Sequence, residues 1–198
     1  AVNVGSLQAG VGMGIQVDGD GNVIIGGEFR GVPDFDPGPA TAFGTNSALF
    51  NAFMAKYTSD GNYIWHRDAA DGNRGRAFPM GVDADDNIFV GLHFQGTSDL
   101  DPGPGVNNFT AQGEDIAIAK YDSTGALMWV NHFSGVFSEY ILYGATQHVS
   151  AVDEAGNLYV GVVHNSVDLD MDPGPDTLAA VTSSGSGSFL CAYDTDGN

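Results

Sequence analysis

The chain has 198 residues, 29 of them Gly, with 42% apolar side chains and a formal net charge of -19 from 25 acidic and 6 basic residues. Such a surface would repel nucleic-acid phosphates, and so much glycine excludes a mainly helical fold. No stretch reaches the apolar length of a membrane-spanning helix, and the single Cys191 excludes an internal disulfide. No signal peptide is legible, so a secreted chain would have lost it or would carry it outside these residues.

Ala1-Val2-Asn3-Val4-Gly5-Ser6 alternates like Val130-Asn131-His132-Phe133-Ser134 and reads as an outer strand. Period-2 alternation then predicts inner strands over 12–17, 78–82 and 147–152, second strands over 23–29, 88–94 and 158–164, and third strands over 50–57, 115–121 and 188–193. Outer strands are predicted over 63–68 and 127–133. Asp-Gly and Gly-Asn clusters between the first and second strands, and between the third and outer strands, read as hairpin turns. No segment keeps a helical period. The chain is therefore read as all-β, in units of four antiparallel strands.

Four features recur in one order. Val17-Asp18-Gly19-Asp20-Gly21-Asn22 returns at 82–87 and 152–157. Asp34-Phe35-Asp36-Pro37-Gly38-Pro39 returns at 99–104 and 170–175, with second Asp residues at 36, 101 and 172. Ala55-Lys56-Tyr57 returns as Ala119-Lys120-Tyr121 and Cys191-Ala192-Tyr193, and Trp65 returns as Trp129. A fixed period with a matching motif marks a repeat architecture, and four-stranded repeats with Gly-rich turns match β-propeller blades. The implied division is a partial outer strand at 1–9, blades at 10–74 and 75–142, and a blade at 143–198 lacking its outer strand. One reading is an excerpt of a longer propeller. The other is head-to-tail self-assembly, in which the N-terminal strand completes another chain's last blade.

On these motifs the chain resembles the bacterial β-propeller repeat abbreviated SBBP, in a variant carrying a DxDPGP element. The resemblance implies a propeller from a secreted or cell-surface bacterial protein. It speaks to fold more than to function. The third copy departs from it, because Val167–Asp172 adds an acid and a residue and Ala192 replaces the lysine.

Of the 25 acids, 21 are Asp, which favours turns and makes a short hard-cation ligand. The DxDPGP loops join second to third strands and are expected at the end of the sheet opposite the hairpin turns. Asp34, Asp36, Asp99, Asp101, Asp168, Asp170 and Asp172 are the candidate Ca²⁺ ligands, against the plainer reading of a structural Asx turn. The Asp18-x-Asp20-x-Asn22 turns lack the distal Glu of a calcium loop and read as hairpin turns. His66, His93, His132, His148 and His164 form no metal-binding pattern. Cys191 replaces an alanine of the other copies and reads as a small core residue.

An unrepeated patch holds Arg67, Asp68, Asp71, Asn73, Arg74 and Arg76, three of the four arginines, and is a candidate surface for an acidic sugar or a partner. Catalysis needs an asymmetric constellation, whereas here the acids recur with the scaffold. No catalytic residue is assigned. The functional expectation is an extracellular, calcium-stabilised structural or adhesive module, with a protein or polysaccharide partner at the cell surface. A lectin-like propeller is the alternative, followed by a polysaccharide hydrolase or lyase.

Overall fold

The computed structural model describes residues 9–45, 47–134, 139–141, 150–164 and 187–198. Among these residues there are strands and no helix: β1 (Ala9–Val17), β2 (Val23–Gly31), β3 (Ser47–Tyr57), β4 (Tyr63–Ala70), β5 (Arg74–Val82), β6 (Ile88–Asp99), β7 (Asn108–Tyr121), β8 (Leu127–Phe133), β9 (Glu139–Ile141), β10 (Ser150–Val152), β11 (Leu158–His164) and β12 (Gly187–Tyr193). The all-β expectation holds, and every predicted strand from residue 12 onward has its counterpart.

β1 to β4 form a first antiparallel meander and β5 to β8 a second. One parallel contact, Phe50 with Arg74, joins them into a mixed eight-stranded sheet. The third meander pairs β11 with β12 on one side and with both β9 and β10 on the other. β9 and β10 are therefore two pieces of one inner strand. Glu139–Ile141, which the period places before the boundary at 142, belongs to the third unit. The excess length of the third repeat lies partly here: Asp18, Asp83 and Asp153 are 65 and then 70 residues apart.

The turns that join the first to the second strand, and the third to the outer strand, of each unit share one design. Asp18 N bonds Asn22 O, and Gly21 N bonds Asp18 O, with the same pair of bonds at Asp83, Asp122, Asp153 and Asp194. The fourth turn residue takes positive φ, which glycine tolerates. In the second unit Asp86 adopts it instead, at φ 61°. Its Oδ1 accepts from Gly19 N at 2.7 Å, so the side chain at this unusual position ties two units together.

The second meander is buried on both faces, which is why β6 and β7 read as apolar runs. Ile88, Val90, Leu92, Phe94 and Leu100 pack against Ile24, Ala52, Met54 and Trp65 of the first unit. Phe89, Ile116, Ile118 and Phe133 pack against Leu158, Val160, Val162 and Tyr193 of the third. The three units thus stack face to face in chain order. At the first junction a Cβ on Gly26 would collide with Pro79, so only glycine permits that approach.

Candidate functional site

The two described DxDPGP loops, at 34–39 and 99–104, are hydrogen-bonded folds anchored by the residue between the two aspartates. Asp34 Oδ1 accepts from Asp36 N at 3.1 Å and from Ala42 N at 2.9 Å, and Asp36 Oδ1 accepts from Gly38 N at 2.7 Å. The second copy repeats this with Asp99 Oδ1 to Asp101 N and Asn107 N, and Asp101 Oδ1 to Gly103 N. Phe35 and Leu100 are fully buried, and their carbonyls accept from Tyr57 and Tyr121 hydroxyls at 2.8 and 3.1 Å. Burial raises both tyrosine pKa values, so each phenol stays a donor.

The apolar anchor corrects the expected placement of the loop. Phe35 reaches Phe29, Phe53 and His66, folding the loop back over the sheet. The Asp36–Pro39 tip then sits beside Asp60–Tyr63, the hairpin turn of its own unit, rather than at the opposite end. The second loop folds back into the junction between units. There Asp99, Asp101 and Pro102–Pro104 line a cleft of about 590 Å³ with Thr45, His66, Arg67, Asp68 and Asp71.

Asp34 with Asp36, and Asp99 with Asp101, are each brought together. Asp168, Asp170 and Asp172 lie outside the described residues. In each described loop the two Oδ2 atoms remain for a cation, but no third His, Cys, Asp or Glu joins them among the described residues. Two carboxylates fall short of the donor set of a tight calcium site. The Asp18 and Asp83 turns are closed on themselves. Each carboxylate accepts two backbone N–H bonds and one from the side chain of Asn22 or Asn87.

The unrepeated arginines do not form an open patch. Arg67 donates to Thr124 O at 2.7 Å and lies over Trp65. Arg74 and Arg76 both reach Glu28, and Arg76 also bonds Glu114 at 2.7 Å. His93, equivalent in register to Glu28, stands 3.8 Å from Glu114. His132 bonds Asp115 at 2.9 Å beside Phe94 and Phe109. His148 lies outside the described residues, as does the His164 side chain. Burial pushes the Cys191 thiol up to about 11, which leaves no thiolate nucleophile near neutrality.

The strongest electrostatic feature is a repeated latch. Lys56 Nζ bonds Asp18 at 2.7 Å and the carbonyl of Ser123 in the next unit at 3.3 Å, and Trp65 Nε1 donates to that same carbonyl. Lys120 Nζ bonds Asp83 at 3.0 Å and Thr195 O at 3.2 Å, again shared with Trp129 Nε1. Lysine and tryptophan of one unit thus grip the hairpin turn of the next. The tryptophans recur with the period and read from sequence as packing between units, whereas the lysines carried no such expectation, although a lysine inside an apolar strand was the available signal.

These contacts set the pH response. Burial opposes ionisation of Asp18 and Asp83, yet bonds from Lys56 and Asn22, or Asn87 and Lys120, outweigh it and hold both below the usual carboxylate range. His93 and the short Arg76 contact hold Glu114 down despite burial, the guanidinium bond being much the closer of the two. Burial lowers His66. A depressed acid stabilises the fold above its unfolded pKa and loses that contribution as pH falls through the folded value; a depressed histidine also makes acid unfavourable. Stability is expected to dip as pH drops through about 6.5 and to fall steeply below about pH 4. Denaturant midpoints measured across pH 3–8 check this, and a flat midpoint down to pH 3 contradicts it.

No family model and no curated protein matches the chain.

Proposed function

We propose that the chain is a module of an extracellular β-propeller, built from SBBP-like repeats and serving a structural or adhesive role at a cell surface. One observation carries this reading: the residue types that recur, aspartate, lysine, tyrosine and tryptophan, are spent on fastening loops and joining units. A protein whose repeated polar groups hold its own backbone is organised to present a surface. The exposed acidic exterior and a partner of protein or polysaccharide chemistry fit that role.

Calcium belongs to this reading as a stabilising ligand of the DxDPGP loops. Asp34 with Asp36, and Asp99 with Asp101, would hold it through their Oδ2 atoms, with backbone carbonyls and water completing the shell. A carbohydrate-binding role draws on the cleft between the first and second units, where His66, Arg67, Asp68 and Asp71 break the repeat.

A panel of polysaccharide, glycoside, ester and phosphate substrates is expected to give no turnover above background. Turnover abolished by Asp68→Asn or Asp101→Asn would replace the scaffold reading with an enzymatic one.

A further inference from the structure

Lys56 and Lys120 are the only lysines of the chain, and each meets an aspartate of its own unit out of reach of water. Lys56 Nζ stands 2.7 Å from Asp18 Oδ2, and Lys120 Nζ stands 3.0 Å from Asp83 Oδ2. All four side chains are at most 7% exposed. The other oxygen of each carboxylate, Oδ1, lies in a cradle of two backbone donors. Asp20 N and Asn22 N reach Asp18 Oδ1 at 3.1 and 2.7 Å, and Asp85 N and Asn87 N reach Asp83 Oδ1 at 3.0 and 2.9 Å. An amine on one oxygen, two N–H groups on the other and excluded water are the parts needed to form an amide.

We propose that Lys56 condenses with Asp18, and Lys120 with Asp83, in two intramolecular isopeptide bonds that the folded chain forms by itself. Each pair holds every atom that the step needs. One ammonium proton passes to Oδ2, leaving a neutral amine against a carboxylic acid. The Nζ lone pair attacks Cγ, and the negative charge that develops on Oδ1 meets the two backbone N–H groups. The nitrogen gives a second proton to Oδ2, the Cγ–Oδ2 bond breaks, and Oδ2 departs as water. The nitrogen keeps one hydrogen, and no oxidant, reductant or further reactant takes part. Well-oriented groups held together react as if at about 10⁵–10⁸ M, which offsets the unfavourable balance of amide formation in water.

The product keeps most of the bonds around it. Its N–H donates to Ser123 O or Thr195 O, which the ammonium groups already reach at 3.3 and 3.2 Å, and Oδ1 keeps both backbone donors. Only the bonds from the Asn22 and Asn87 side chains to Oδ2 are lost. Those donors favour the ionised carboxylates, so the chain folds with the ion pair and condensation follows slowly. The third unit is an internal control. Asp153 has the same cradle, with Ala155 N and Asn157 N on Oδ1, but Ala192 stands where the lysines stand and the Tyr159 hydroxyl reaches Oδ2. Each bond closes a covalent loop, over 18–56 or 83–120, that contains one DxDPGP segment and restricts the unfolded chain.

Intact-mass measurement of the denatured chain, after increasing times of incubation below its melting temperature, tests the inference. The wild-type chain is expected to lose the mass of one water and then of a second, with no third. Amine-reactive labelling in denaturant reads the same event independently: Lys56 and Lys120 take the label before condensation and refuse it afterwards. Digestion should then yield a branched peptide that joins the segments around Asp83 and Lys120. Lys56→Arg and Lys120→Arg keep a cation beside each aspartate but cannot form the amide. Each variant should stop at one water and the double variant should lose none, with wild-type circular dichroism showing that the fold is kept. Closure of an Asp-Gly sequence such as Asp18-Gly19 to a succinimide also removes water, but it leaves both lysines reactive and survives in the double variant. That outcome overturns the inference. An unchanged wild-type mass with both lysines still labelled after prolonged incubation overturns it as well.

Discussion

Replacing Lys120 with alanine is expected to cost about 3–5 kcal/mol, the range for removing one partner of a buried ion pair. For a domain of this size that corresponds to a melting temperature lower by roughly 10 °C. The magnitude follows from burial: the side chains of Lys120 and Asp83 are 2% and 5% exposed. Without the ammonium, Asp83 keeps its charge in a site that water scarcely enters. The Thr195 carbonyl of the third unit keeps only its bond from Trp129. The aliphatic stem is lost too, and with it the ammonium packed 5.0 Å from the Phe89 ring centre. Lys56→Ala should behave alike, since Lys56 and Asp18 are 7% and 1% exposed.

A double substitution separates charge from packing. Lys120→Met with Asp83→Asn leaves no stranded charge and fills the space of the stem. It should recover most of the loss, because a buried ion pair is often no better than neutral groups of similar shape. Equal losses in Lys120→Ala and in the double variant would mean that the ion pair does not dominate the junction. The third unit supplies a natural comparison. It carries Ala192 at this position, and its Asp153 is exposed, where an unpaired carboxylate is hydrated and needs no ammonium.

The strands were legible because alternation and turn chemistry are local. Tyr57, Tyr121 and Tyr193 each end a strand immediately before a turn whose Asp or Thr, glycine and spacing recur. The junctions were less legible. The Ala-Lys-Tyr motif was visible three times, but alternation alone cannot tell whether a lysine on a strand face meets water or a second sheet. Only the stacking of units decides that. The bonds from Arg74 and Arg76 to Glu28 cross 46 and 48 residues, and nothing local specifies them. In the DxDPGP motif, attention to the paired aspartates hid the residue between them. Phe35, Leu100 and Met171 are all apolar, an unusual choice for a solvated loop, and the first two turn the loop back onto the sheet. The one residue that the third unit adds around Val167–Asp172 was legible beside the acids; the rest of its added length falls between Asp83 and Asp153, where the inner strand comes in two pieces, β9 and β10.

The motif's two parts should separate on melting. Leu100→Ala removes a fully buried side chain from the first core and should cost about 2–5 kcal/mol, with or without calcium. Asp99→Ala leaves the N–H groups of Asp101 and Asn107 without their acceptor. It should cost about 1–3 kcal/mol, since both groups are partly buried. Asp99→Asn keeps a side-chain oxygen at the Oδ1 position, so in EDTA its melting temperature should stay close to wild type. Calcium distinguishes the two carboxylate oxygens. If Oδ2 holds the ion, added Ca²⁺ raises the wild-type melting temperature and raises that of Asp99→Asn much less, because binding to the folded state alone stabilises it. An identical calcium response in wild type and Asp99→Asn would place the ion elsewhere. A large loss from Asp99→Asn in EDTA would mean that the carboxylate charge, and not the acceptor geometry, holds the loop.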